Sequence, residues 1–437
     1  MRNLTLLPLI FVCALTACSK KENALSSVAD IAAVRANLAF TCVHEADHLP
    51  PLDPDADRVF KYGRYLEKLD GPKDFDAVAR YYRIAAAHGH YKANHNVQML
   101  LSEGFASSPY AVEETIDLVE QLIKQGVPSG YYDMGYYLTQ GYGVKLDEDK
   151  ARRYFRKAAD LGNPDAQNYV GDMLTQPELS PEIGKQMLRC AMEQGHALAA
   201  KNLAMQYKVV DKNFVEAVKA FQMGVKAGNS ESASFLEDGF KAPPASEQLN
   251  YMGLPNDPER SRRYEVIWQF LIDNDGRNPK VPDIDQIVPL PPATLPPWDG
   301  TFQWQKEQDA AVTPQKPADE LIERLSKDKN LDPATGLPMT TSASKSAQTD
   351  QSANVVGRLE LGTVVRSGAI CPQSGVWCGH RHLSLPVEEK ARFRKGETMP
   401  QLVLYRSRAI PLLDDLFGMR RVPTDVAWKL VSYVDQA

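Results

Sequence analysis

Along the middle of the chain, small and apolar residues recur with a helical spacing that is itself repeated. Counted back from Gly89, Gly126, Gly162, Gly195 and Gly228, the third residue is Ala86, Ile123, Ala159, Met192 and Val225. The seventh is Tyr82, Val119, Phe155, Leu188 and Phe221, and the eleventh is Val78, Thr115, Ala151, Gly184 and Ala217. Steps of four place these positions on one helix face, and each glycine supplies the left-handed residue that ends the helix. The glycines are 37, 36, 33 and 33 residues apart, and a second helix follows each, as in residues 165–174. One such pair cannot bury its own apolar stripe, so neighbouring pairs must stack and cover it. The pattern predicts a helical-repeat solenoid over residues 57–240.

The pattern changes at residue 241. Residues 241–300 hold eleven prolines, which exclude regular helix and favour extended backbone. The same stretch carries Tyr264, Trp268, Phe270, Ile284, Ile287 and Trp298, with Phe302 and Trp304 just beyond. A solvated linker has no need of them, so 241–339 reads as an ordered, proline-rich strap along the solenoid. Residues 340–354 are rich in Ser, Thr, Ala and Gln with no large apolar side chain, the composition of a flexible linker. Short alternating runs then follow at 355–365, 376–383, 402–404 and 427–433, predicting a small β-rich domain over 355–437.

The N-terminus has another pattern. Met1-Arg2-Asn3 precedes an apolar run from Leu4 to Leu15, shorter than the ~20 residues a spanning helix needs. Leu15-Thr16-Ala17-Cys18 follows and closely resembles the bacterial lipobox. That resemblance implies removal of residues 1–17 as a lipoprotein signal peptide and lipidation of Cys18, with enough acyl chains for stable anchoring in the membrane. Ser19 is similar to the outer-membrane sorting pattern, so the expected location is the outer membrane, lipid-anchored and facing the periplasm. Residues 18–56 then form a tether and an N-terminal helix, whose apolar spacing runs through Ile31, Val34, Leu38 and Cys42.

The repeat residues carry a second resemblance. Tyr136-Tyr137-Leu138-Thr139-Gln140-Gly141-Tyr142-Gly143-Val144, then Asp147, Lys150-Ala151, Tyr154-Phe155 and Lys157-Ala158-Ala159-Asp160-Leu161-Gly162-Asn163, resemble the Sel-1-like repeat, a relative of the tetratricopeptide repeat. The resemblance implies a mainly α fold, a curved solenoid whose usual work is protein recognition. Residues 281–292 with Trp298-Asp299-Gly300 resemble an uncharacterised domain of repeat lipoproteins encoded near type VI secretion effectors. Gly368 to Trp377 and Phe393 to Pro400 are similar to the small β domain that ends several polymorphic-toxin immunity proteins.

Composition narrows the function classes. The 437 residues are 43% hydrophobic and 24% charged with a formal net charge of −6, which argues against a nucleic-acid partner, since such binders usually show a basic face. Of the mature cysteines, Cys371 and Cys378 flank a turn-like stretch and read either as a hairpin disulfide or as two free thiols. Cys190, at an apolar helical position, reads as a small core residue. His44-Glu45-Ala46-Asp47-His48 matches H-E-x-x-H, which on a helix places two imidazoles on one face for zinc. Leu49-Pro50-Pro51 ends any helix at once and no third-ligand motif follows, so a polar helix end is favoured and no metal or cofactor is expected. His88, His90 and His95 fall on a repeat, the acidic run Asp53, Asp55, Asp57 reads as a solvated loop, and Trp377 as the core of a small domain. Nucleophile-elbow, phosphate-loop and dinucleotide patterns are absent from the sequence, and no enzyme is expected.

These resemblances together imply an immunity protein that binds and blocks a periplasm-acting type VI secretion effector, a lipase or phospholipase being the class usually paired with Sel-1-like lipoproteins. Tyr132, Tyr136, Tyr142 and Tyr169 are the aromatic candidates for the binding surface. The alternative is a periplasmic scaffold lipoprotein that organises an envelope protein complex.

Overall fold

The computed structural model describes residues 39–69, 71, 73–339, 359, 363–380, 389–399, 402–406, 420–424 and 427–433. Residues 1–38, which hold the expected signal peptide, Cys18 and most of the expected tether and N-terminal helix, and the expected linker 340–354 lie outside the described residues. From Phe40 onward the chain forms one compact unit.

Helices occupy most of it, in pairs. Six helical hairpins follow one another: α1 (Pro54–Lys68) with α2 (Phe75–Ala87), α3 (Tyr91–Ser102) with α4 (Ala111–Lys124), α5 (Pro128–Gln140) with α6 (Glu148–Asp160), α7 (Pro164–Leu174) with α8 (Pro181–Glu193), α9 (Ala197–Met205) with α10 (Phe214–Lys226), and α11 (Ser230–Phe240) with α12 (Pro258–Asp273). Each second helix also packs on the first helix of the next pair, so the apolar stripes are covered in series. Gly89, Gly126, Gly162, Gly195 and Gly228 all have positive φ, between 74° and 100°. They turn the chain after α2, α4, α6, α8 and α10, and in four of the five cases, all but Val127, the side chain of the next residue caps the following helix. The side chains of His90, Asn163, His196 and Asn229 accept from the N–H groups of Ala93, Ala166, Ala199 and Ser232 at 2.7–3.1 Å. Each cap satisfies a helix N–H that otherwise has no partner.

The stack does not end at residue 240. Helix α12 lies in the stretch whose prolines were read as excluding helix, and it completes the sixth hairpin. Pro258 stands in its first turn, where a missing N–H costs nothing, and no proline follows until Pro279. Asp257 caps it, accepting from Arg260 N–H at 3.0 Å. Tyr264, Ile267 and Leu271 are buried against α10 and α11, the last two contributing about 1.5–3 kcal/mol each.

Beyond α12 the proline-rich strap is ordered by arginines. A proline-rich backbone has carbonyls but few N–H groups, so donors must come from side chains. Arg263 donates to the Ile287 carbonyl at 2.5 Å and to that of Pro296 at 2.8 Å. Arg260 donates to the carbonyl of Pro289 at 3.2 Å and to that of Ala293. Short helices α13 (Ile284–Ile287) and α14 (Gln303–Asp309) bury Ile284, Ile287 and Trp304, and the Phe270 and Phe302 rings stack 3.9 Å apart.

The strap then reaches the other end of the solenoid. Helix α15 (Asp319–Asp328) places Ile322 and Leu325 in the core formed by α1, α2 and α3. Arg324 pairs with Asp55 at 2.5 Å, His88 bonds the Leu325 carbonyl at 2.9 Å, and Arg80 donates to the Pro333 carbonyl at 2.5 Å. Segment 232–339 therefore covers both ends of the stack. The acidic run is accordingly no solvated loop: Asp53 caps α1, while Asp55 and Asp57 in its first turn pair with Arg324 and Lys61.

The C-terminal strands are β1 (Val364–Arg366), β2 (Gly375–His380), β3 (Glu389–Phe393), β4 (Leu402–Arg406), β5 (Arg420–Thr424) and β6 (Ala427–Tyr433). Their order is β1-β6-β2-β3 in one antiparallel sheet, with β4 and β5 paired separately. Trp377 and Trp428 are buried with Cys371 and Met399, so Trp377 is a core residue. Arg366 docks β1 on the α3–α4 loop, donating to the Gly104 carbonyl at 2.7 Å over the Phe105 ring.

Candidate functional site

The first helices of successive hairpins carry a continuous row of polar and aromatic side chains. His95 on α3 bonds Asp133 on α5 at 3.1 Å. Tyr132, beside Asp133, lies 5.4 Å from the Phe155 ring, which lies 4.5 Å from Tyr169 on α7. Asp165 at the start of α7 bonds His196, the cap of α9, at 3.0 Å, and Asn202 on α9 donates to Asn168 on α7 at 3.2 Å. Lys201 on α9 pairs with Glu231 on α11 at 3.1 Å. Each partner sits about one repeat further along, so the repeat period itself brings the row together.

An N-terminal segment is laid against the middle of this row, at α7 and α8. Cys42 is joined to Cys190 of α8 by a disulfide. Gln167 donates to the Val43 carbonyl at 2.9 Å, the Glu45 N–H donates to Gln194 at 2.8 Å, and Asn163 donates to the Glu45 carboxylate at 3.0 Å. Gly162 is required here for space as well as for its turn, because a Cβ would lie 2.5 Å from the His44 carbonyl carbon.

The electrostatics are those of an acidic site tempered by histidine. Burial raises the Glu45 carboxyl above its ordinary value; the Asn163 bond opposes this, and the charges of Asp165 and Asp133 add to it. The Asp133 carboxylate raises the His95 imidazole to about 9. Burial pushes the Tyr132 hydroxyl up as well. This is a surface of hydrogen-bonding groups and rings suited to recognising another protein.

The sequence-derived candidates separate clearly. Tyr169 is exposed, and Tyr132 and Tyr136 are half-buried on the same row. Tyr142 does not belong to it. After Gly141 turns the chain, the Tyr142 N–H donates to the Tyr137 carbonyl at 3.1 Å and the two rings pack 5.4 Å apart in the core. This is the apolar contact that closes a glycine-ended helix.

The H-E-x-x-H run does not form a zinc-peptidase face. His44 is extended and precedes a single 3-10 turn, Glu45–His48, and the chain is not α-helical at Cys42. Leu49-Pro50-Pro51 allows nothing longer. Cys190 is buried as expected but is half of a disulfide; Cys371 is free, its thiol donating to the Gln373 carbonyl at 3.1 Å, and the side chain of Cys378 lies outside what the structure describes. Sequence reasoning missed His95, Asp133, Asp165, His196 and Glu45. The available signal was the polar residue that follows four of the five repeat glycines, His90, Asn163, His196 and Asn229.

Comparison with known proteins places this geometry. The Sel1 repeat model matches residues 60–90 and 128–163, and a domain of unknown function, DUF6396, matches residues 232–339, the segment that covers both ends of the stack. Immunity protein Pa5087 from Pseudomonas aeruginosa is 32% identical, the match covering 58% of this chain and 95% of that one, with a TM-score of 0.47. Immunity protein PA5088 from the same organism is 30% identical over 58% of this chain and 94% of that one, with a TM-score of 0.49. Among curated proteins, the DAP3-binding cell death enhancer 1 of Mus musculus is 27% identical over 173 residues, 38% of this chain. The chain spans about a third of that relative's length, 34%. The chain is thus a Sel1-repeat protein, and it is similar to these two Pseudomonas aeruginosa proteins across nearly their full length.

Proposed function

We propose that this chain is an immunity protein that binds and blocks a toxic effector, acting by occlusion rather than catalysis. The observation that carries this reading is its identity with named immunity proteins along almost their whole length. The row from His95 to Glu231 supplies a recognition surface on rigid helices. The finer reading is an effector delivered by a type VI system that acts in the periplasm, a lipase or phospholipase. The protein itself is held at the outer membrane through lipids on Cys18. The lipobox supports that location, as does the Cys42–Cys190 bridge, because disulfides persist in oxidising compartments.

Survival of a deletion strain tests the reading. Cells lacking the gene are expected to die when siblings deliver the neighbouring effector. A lipidated or merely periplasmic copy restores protection, and a cytoplasmic copy lacking residues 1–18 does not. Cys18→Ala abolishes lipid labelling. A deletion strain that survives unharmed contradicts the immunity role, and a cytoplasmic copy that protects contradicts the compartment.

A further inference from the structure

Cys42, Cys190 and His44 bring three soft donor atoms together at the rim of the solenoid. The two sulfurs and a ring nitrogen all lie within 4.8 Å of one another. We propose that, when the disulfide is reduced, these side chains form a binding site for a thiophilic d10 cation such as Zn(II). The same residues are then a covalent clasp in the oxidised chain and a Cys2His ligand set in the reduced one.

The chemistry suits the donors. Zinc holds thiolate sulfur at about 2.3 Å and imidazole nitrogen at about 2.0 Å, which sets tetrahedral donors about 3.3–3.8 Å apart. The bonded sulfurs must therefore separate, and the backbone allows it. Cys42 is exposed on an irregular segment, whereas Cys190 is buried and fixed on α8. His44 makes no capping bond to the turn it precedes, so its ring is not committed to the helix end. The fourth position stays open to water.

The site would survive loss of the disulfide because other contacts hold the segment. The Val43 carbonyl, the Glu45 N–H and the Glu45 carboxylate are bonded to Gln167, Gln194 and Asn163, on α7, at the end of α8 and at the cap of α7. The His44–Glu45 backbone also seats on Gly162. Reduction by a dithiol, which itself becomes a disulfide, supplies two electrons and two protons and yields two thiols; with a phosphine the electrons come from phosphorus and the protons from water, whose oxygen leaves as the phosphine oxide. Zinc then displaces those two protons as the thiolates bind.

This assignment is independent of the immunity reading and concerns the purified chain with Zn(II) alone. After reduction with a phosphine, the chain is expected to take one zinc in competition with a chromophoric chelator, and Co(II) in its place gives a thiolate charge-transfer band. The oxidised chain takes none. Cys42→Ser abolishes binding. His44→Ala leaves the fold and the disulfide intact yet weakens zinc by at least about tenfold, as removal of a ligand should. A reduced chain that binds no more zinc than the oxidised one, or a His44→Ala variant with parental affinity and cobalt spectrum, overturns the proposal.

Discussion

Cys42 and Cys190 are joined with their Cα atoms 5.6 Å apart, although 148 residues separate them in sequence. The bond ties the N-terminal segment to the fourth hairpin and thereby holds Glu45 beside Asn163 in the candidate row. Closing so long a loop removes much freedom from the unfolded chain, so Cys42→Ser should lower stability by about 2–5 kcal/mol. Denaturant titration with and without reductant checks this. The parent should fall to the level of the variant on reduction, and the variant should not respond.

Arg83 and Glu114 should be similarly sensitive. Arg83 is buried and Glu114 partly so, and Arg83 makes two bonds to the Glu114 carboxylate at 2.6 and 3.1 Å. It also donates to the carbonyls of Ser107 and Thr335, linking α2 to the segment after α15. Glu114→Ala leaves the guanidinium buried without its counter-charge and should cost about 3–5 kcal/mol. Replacing both residues with apolar ones should cost much less than the sum of the single changes, as a double-mutant cycle would show.

His95 predicts a pH dependence. Its folded pKa is raised from 6.5 to about 9 by the Asp133 carboxylate. Its contribution to stability is therefore complete below about pH 6.5 and is lost as the pH rises through about 9. The side chain is 40% exposed, so solvent screens the pair and the effect is modest. His90 runs the other way: burial lowers its pKa, so its contribution is present above 6.5 and lost as the pH falls. The stability difference between the parent and His95→Ala should be constant near pH 6 and shrink towards pH 10. A difference that grows with pH contradicts the assignment.

The repeats were legible because one signal, a glycine every 33–37 residues with apolar positions behind it, reports both the helix end and its buried face. Helix α12 was not, because Pro243, Pro244 and Pro255 precede it and Pro258 lies in its first turn, at a position that tolerates it. Tyr142 was misread because surface and core tyrosines look alike until the turn at Gly141 is known to direct the ring back onto Tyr137. The row escaped for a different reason. Its pairs, such as His95 with Asp133 and Asp165 with His196, join residues 38 and 31 positions apart, a distance that becomes proximity only once the hairpins stack. The Cys42–Cys190 pairing is the extreme case, since nothing local in either segment names its partner.

The central claim is that the row on the first helices binds a toxic effector, and a direct titration tests it. The purified chain, mixed with its proposed effector, should associate with nanomolar affinity, about −12 kcal/mol. Tyr169→Ala and Tyr132→Ala should each weaken the complex by about 2 kcal/mol or more if they are anchors, without lowering the unfolding midpoint comparably. Tyr142→Ala should instead act on the fold, at about 3–5 kcal/mol for a buried aromatic. Tight binding lost with Tyr169 and Tyr132 is the result this account predicts. A pair that fails to associate at micromolar concentration contradicts it, and the scaffold reading would then stand in its place.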